Sequence, residues 1–143
     1  MDVLIDTNIL VRLAVEGDPL AVPIRQTFAD LQRKGARLCI CNQNLYEFWV
    51  VATRPPESNG LGLQIETCQR AIATLVDSLI VLPDPPDLFD QWFALCVKNR
   101  IAGKAAHDAR LAALMTCYKI STLVTFNDSD FRSFRDIQCI VPS

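Results

Sequence analysis

Five acidic side chains stand where short apolar runs end or where an apolar helix would otherwise carry no charge. Asp6 follows Val3-Leu4-Ile5, and Glu47 is the only charge within Leu45-Tyr46-Glu47-Phe48-Trp49-Val50-Val51. Asp108 opens Asp108-Ala109-Arg110-Leu111-Ala112-Ala113-Leu114, and Asp128 and Asp130 follow Leu123-Val124-Thr125-Phe126. In an open α/β sheet, strand exits and helix starts converge on one crevice. Carboxylates gathered there repel one another, and a hard divalent cation relieves the repulsion.

Each acid also has an ordinary structural role. Asp6 can cap the helix that follows it. Asp108 can sit at a helix start, stabilised by the macrodipole. Asn127-Asp128-Ser129-Asp130 is a common turn composition. Glu47 has Gln43, Asn44, Val51 and Arg54 within two helical turns and could pair with Arg54. It is still the most telling of the set, because a helix this apolar is mostly buried and a carboxylate on it needs a partner or a metal. His107, the single histidine, reads as a surface or capping residue and is assigned no catalysis. There is no glycine-rich phosphate loop and no Gly-x-Ser-x-Gly turn. A cysteine nucleophile would have only His107 as its base. Phospho-acceptor chemistry would want a second acid where Asn8 stands, and a late lysine after the fourth strand.

The elements that must position these residues alternate along the chain. Residues 3–6 read as a buried strand, followed by the turn Asp6-Thr7-Asn8 and a short helix over 9–14. Asp18-Pro19 reads as a second helix start, with Gly35 as its stop. Residues 38–41 form a second strand, and Asn42 caps a helix to about Thr53, ended by Pro55-Pro56. Residues 57–63 are a loop. Ile65, Cys68, Ile72 and Leu75 recur at helical spacing. Strands are expected at 79–82, 122–126 and 137–141, with helices around Leu88-Trp92-Leu95 and over 108–118. Short apolar strands alternating with helices predict a mostly parallel sheet covered on both faces, in one domain spanning 1–143.

Composition bounds the function. The 143 residues are half hydrophobic and 21% charged, which suits a folded domain rather than a disordered chain. No apolar run reaches a membrane span, and Met1-Asp2-Val3 has no basic leader character, so a cytoplasmic protein is expected. The six cysteines lack a Cys-x-x-Cys pair, and with one histidine a structural zinc site is not expected. They read as free thiols in a reducing compartment. Net charge is −2, which argues against a broad nucleic-acid platform. The basic clusters Arg33-Lys34-Arg37 and Lys98-Arg100-Lys104 read first as solvated helix ends.

The residues resemble the PIN domain, and within it the VapC-type toxin ribonucleases of bacterial toxin–antitoxin pairs. The carriers are Val3-Leu4-Ile5-Asp6-Thr7-Asn8, the helix segment Leu45 to Pro55 with Glu47, His107-Asp108-Ala109, and Leu123 to Phe131. They occur in the family's order over nearly the whole chain. The resemblance implies a three-layer α/β/α sandwich and Mg²⁺- or Mn²⁺-dependent cleavage of single-stranded or structured RNA by a metal-activated water. It implies Asp6, Glu47 and Asp108 as catalytic acids, with Asp128 or Asp130 as the fourth. Asp6, Asp108, Glu47 and Asp128 would be metal ligands, and Asn8, Thr125 and Asn127 supporting polar groups. Asn127 stands where many relatives carry an acid. Arg54, Lys98, Arg100 and Lys104 are the expected RNA contacts, with a salt-dependent grip. A small antitoxin and a homodimer are the implied partners, and Trp49, Trp92 and Phe93 could contribute an exposed apolar patch. The competing readings are an RNA-processing or DNA-structure nuclease of the same fold, and a non-catalytic protein- or RNA-binding module.

Overall fold

The computed structural model describes residues 1–143. Five strands, β1 (Asp2–Ile5), β2 (Arg37–Cys41), β3 (Ile80–Leu82), β4 (Thr122–Val124) and β5 (Gln138–Ile140), form one sheet in the order β3-β2-β1-β4-β5. Every pairing is parallel. Parallel strands need crossover connections, and six helices supply the first three: α1 (Thr7–Ala14), α2 (Ala21–Arg33), α3 (Asn42–Thr53), α4 (Ile65–Ser78), α5 (Leu88–Lys98) and α6 (Ala105–Tyr118). The connection from β4 to β5 runs through the short 3-10 turn Asp128–Phe131.

The alternation of side chains along each strand divides the core in two. Val3, Ile5, Leu38, Ile40 and Val124 face the cluster that includes Ile9, Ile24, Phe48 and Cys68 of α1–α4. Leu4, Cys39, Cys41 and Leu123 face the cluster that includes Leu88 of α5, Leu111 to Met115 of α6, and Phe131. The result is the expected three-layer α/β/α sandwich. The chain builds outward from β1 to β3, then returns to β4 on the other side of β1. Crossovers of one hand put helices on opposite faces when the direction reverses. The reversal falls between β1 and β4, and there the strand ends splay into a crevice.

Several boundaries differ from the sequence reading for local reasons. Helix α2 starts at Ala21, not at Asp18. Asp18 instead turns inward, accepts the Leu20 N–H at 2.9 Å and pairs with Arg12. Pro23 then falls in the first turn of α2, where its missing N–H costs nothing. Gly35 ends that helix as expected, at φ +84°. The Ala36 N–H bonds the Leu31 carbonyl and the Gly35 N–H the Gln32 carbonyl, the double bond of a Schellman stop. Cys41, rather than Asn42, is the N-cap of α3. Helix α6 begins three residues before Asp108. All six cysteines are free, and no helix is long and apolar enough to cross a membrane.

Candidate active site

Asp6 is the first residue beyond β1. Its N–H continues the sheet by bonding the Val124 carbonyl at 2.9 Å, so it stands beside the exit of β4. Its carboxylate is 7% exposed and meets only neutral donors. Oδ1 caps α1 by accepting the Thr7 N–H at 2.8 Å. Oδ2 accepts the Thr125 hydroxyl at 2.7 Å and the Asn8 side-chain amide at 3.1 Å. Thr125 is held in turn by the Asn127 N–H at 3.0 Å, and Asn8 accepts the Phe126 N–H at 3.1 Å. Capping and site-building are therefore compatible, because each role uses a different carboxylate oxygen.

Glu47, on the second turn of α3, accepts the Thr7 hydroxyl at 2.9 Å. It does not pair with Arg54, the structural alternative considered for it. Arg54 ends the helix and donates to the Asn59 carbonyl at 3.2 Å. Its direction is fixed by the loop that folds back over the helix end: a Cβ on Gly60 would lie 1.9 Å from the Arg54 carbonyl oxygen. Asp108 lies in the first turn of α6. Asp6, Glu47 and Asp108 line one open cleft of about 500 Å³ with Thr7, Asn8 and Asn127.

Two residues that sequence reasoning noted only as helical neighbours of Glu47 set this arrangement. Asn44 is fully buried; its Oδ1 accepts the Cys41 N–H and its Nδ2 donates to the Thr7 hydroxyl at 3.1 Å. Gln43 donates to the His107 carbonyl at 2.9 Å and accepts from Arg110 at 3.0 Å. The first turn of α3 thereby hooks α1 through Asn44 and α6 through Gln43. An amide three residues after a strand end is a capping-box signal, and it was present in the sequence as Asn44.

The electrostatics agree with the geometry. The Asp108 carboxyl is pushed up to about 6, chiefly by burial, then by the charges of Asp6, Asp130 and Glu47, with His107 opposing. Burial also raises Asp6 above the usual carboxylate range; the bonds from Thr125 and Thr7 oppose this, and Glu47 adds to it. The four ion pairs of the chain are Arg12–Asp18, Arg33–Asp30, Arg37–Asp2 and Arg110–Asp84, and none involves a cleft acid. Unneutralised oxygen donors of this kind fit a hard divalent cation. No three His, Cys, Asp or Glu side chains form a ready-made ion cage; an ion that keeps several waters does not need one.

The other expected residues are dispersed. Asn127 lines the cleft, while Asp128 and Asp130 lie in the short 3-10 turn Asp128–Phe131 just outside it. The charge of Asp130 reaches Asp108, and that of Asp128 reaches Cys139 of β5. Lys98 lines a separate depression with Arg135 and Thr116, away from the acids. Lys104 immediately precedes α6, one turn before Asp108. Arg100 is exposed in the turn after α5, at φ +52°. Trp92 is tucked in, donating its indole N–H to the Ala106 carbonyl at 2.8 Å, whereas Trp49 and Phe93 are exposed.

Comparison with known proteins agrees with this architecture. Residues 3–137 match the family model of the PIN domain. Among solved structures, VapBC2 from Rickettsia felis bound to a promoter DNA fragment superposes with a TM-score of 0.76 at 18% identity, covering 100% of both chains. VapC20 of Mycobacterium tuberculosis, described as a sarcin–ricin loop cleaving toxin, gives a TM-score of 0.69 at 20% identity, over 92% of this chain and 94% of that one. VapBC-1 of nontypeable Haemophilus influenzae gives 0.64 at 20% identity, over 99% and 98%. No curated protein sequence matches the chain. With nearly its whole length matched by the family model, this chain belongs to the PIN domain family.

Proposed function

We propose that the chain is a Mg²⁺- or Mn²⁺-dependent endoribonuclease and the toxin of a toxin–antitoxin pair. One observation carries this reading: three carboxylates from three elements, Asp6, Glu47 and Asp108, line one cleft without an ion-pair partner where the sheet reverses direction. Asp6 and Asp108 act as the principal ligands, directly or through water. Glu47, held by the Thr7 hydroxyl beside Asp6, completes the set. Asp130, whose charge reaches Asp108, is the fourth acid in preference to Asp128. A divalent ion held by these carboxylates would lower the pKa of an attacking water and neutralise charge on the phosphate oxygens. Thr125 and Asn8 fix the Asp6 carboxylate, and Thr7 fixes Glu47.

RNA as substrate is supported by the description of VapC20. A small antitoxin as partner is supported by the solved toxin–antitoxin complexes. A homodimer in the cytoplasm completes the reading. Phe89, Phe93 and Val97, at 64%, 55% and 65% exposure, form an apolar stripe along α5 suited to self-association. Light scattering that finds a monomer at every concentration would contradict the dimer. Asn127, an amide inside the cleft, favours a second reading in which the crevice binds RNA or protein without cutting. Incubating purified protein with mixed cellular RNA separates the two. The nuclease reading expects cleavage with Mg²⁺ or Mn²⁺, none with chelator, and none in Asp6→Asn or Asp108→Asn. Metal-independent cleavage that survives in both variants would exclude it.

A further inference from the structure

The acid cleft continues past Glu47 and Val51 into a second depression of about 650 Å³, whose far side carries Tyr46, Arg54, His107 and Arg110. Its chemistry is the reverse of the cleft's. Arg54 has no carboxylate partner: it donates only to a loop carbonyl, and its Nε finds no acceptor. Arg110 divides its guanidinium between Asp84 and Gln43, both at 3.0 Å. Tyr46, the residue before Glu47, is 66% exposed on the helix that carries that acid. On the opposite flank of the cleft the nearest cation, Arg12, is held by Asp18.

A polynucleotide cut at the acids must lead its neighbouring phosphate away over positive charge. Arg12 and Arg110 are each held in an ion pair, and Arg54, which has no carboxylate partner, lies on this side. The depression also has the size of a small-molecule site. We propose that it seats the nucleotide next to the cleaved phosphate, with an unpaired base stacked on Tyr46 and its phosphate held by Arg54. This rests on the nuclease reading above and adds to it the residues that seat the neighbouring nucleotide; a base within a duplex cannot reach an aromatic face, so the seat takes only an unpaired one.

The test measures fluorescence polarisation of a fluorescein-labelled octaadenylate in Mg²⁺, using the full chain with Asp6→Asn so that the strand stays uncut. The single strand binds, and the same strand annealed to its complement binds at least about tenfold more weakly. Adding Tyr46→Ala weakens single-strand binding about tenfold, and Tyr46→Phe, which keeps the ring, leaves it unchanged. Thermal melting establishes that both variants are folded. Equal binding by Tyr46→Ala, or equal binding of duplex and single strand, overturns the proposal. So does light scattering in which Tyr46→Ala loses a dimer together with the RNA, since the residue would then serve a second copy of the chain. The unsubstituted protein is assayed in parallel on cellular RNA. No cleavage there defeats the nuclease reading itself, whereas cleavage with unaltered Tyr46→Ala binding defeats this inference alone.

Discussion

Strand β1 carries a carboxylate at each end, and the two are treated oppositely. At the N-terminal edge Asp2 is paired in register with Arg37 of β2, whose guanidinium donates twice, at 2.7 and 2.9 Å. At the C-terminal edge Asp6 meets a backbone N–H, an amide and a hydroxyl, with Glu47 and Asp108 across the cleft. The chain has 14 lysines and arginines, and none is paired with the second carboxylate. The first edge is electrostatically closed and contributes to folding. The second has no ion pair from the chain.

Substitutions at the two edges should separate accordingly. Asp6→Asn should lower metal-dependent RNA cleavage by more than about 100-fold, beyond the 10–100-fold typical of outer-shell partners. Initial rates at saturating Mn²⁺ check this. Thr125→Val removes the hydroxyl that holds Asp6 Oδ2 while keeping the side chain's shape. It should cost about tenfold in activity or metal affinity, and unchanged kinetics would show that Asp6 needs no orienting partner.

A third prediction concerns stability in chelator. The unfolded Asp108 carboxyl loses its proton near 3.8, whereas the folded one keeps it to about 6. The native state therefore binds more protons in this window, and the stability of the metal-free chain falls as pH rises from 3.8 towards about 6. Asp108→Asn should flatten that slope, leaving the part that the buried Asp6 carries, and stabilise the chelated protein at pH 7 by about 1 kcal/mol, a figure discounted for partial solvent exposure. Urea melts at several pH values measure it. The smallest effect belongs to the closed edge: Asp2→Asn should leave cleavage within about twofold of the parent, because its charge pair lies outside the cleft.

The fold was largely legible because continuous apolar strand runs and helical apolar spacing record burial locally. Asp6, Glu47 and Asp108 were legible for the same reason, since each breaks an apolar pattern. Residues whose roles depend on distant partners were harder to read. Gln43 and Asn44 look like a polar start to α3, yet their partners are 64 and 37 residues away in sequence. Asp18 carries the signature of a helix cap, but burial against Arg12 redirects it to the preceding turn. Arg54 is spaced to meet Glu47, and Gly60 permits the loop that draws it elsewhere. Asp128 and Asp130 are equivalent in a turn composition, but in the fold Asp128 is partly buried with its charge reaching Cys139, and Asp130 is exposed with its charge reaching Asp108.

The open edge is tested most directly by calorimetric titration of Mn²⁺ into the purified chain and into Asp108→Asn at pH 7. Saturable binding to the parent, weakened at least about tenfold by the substitution, is the expected result. Absence of binding in the parent, or equal binding in both, would mean that these carboxylates do not form a cation site.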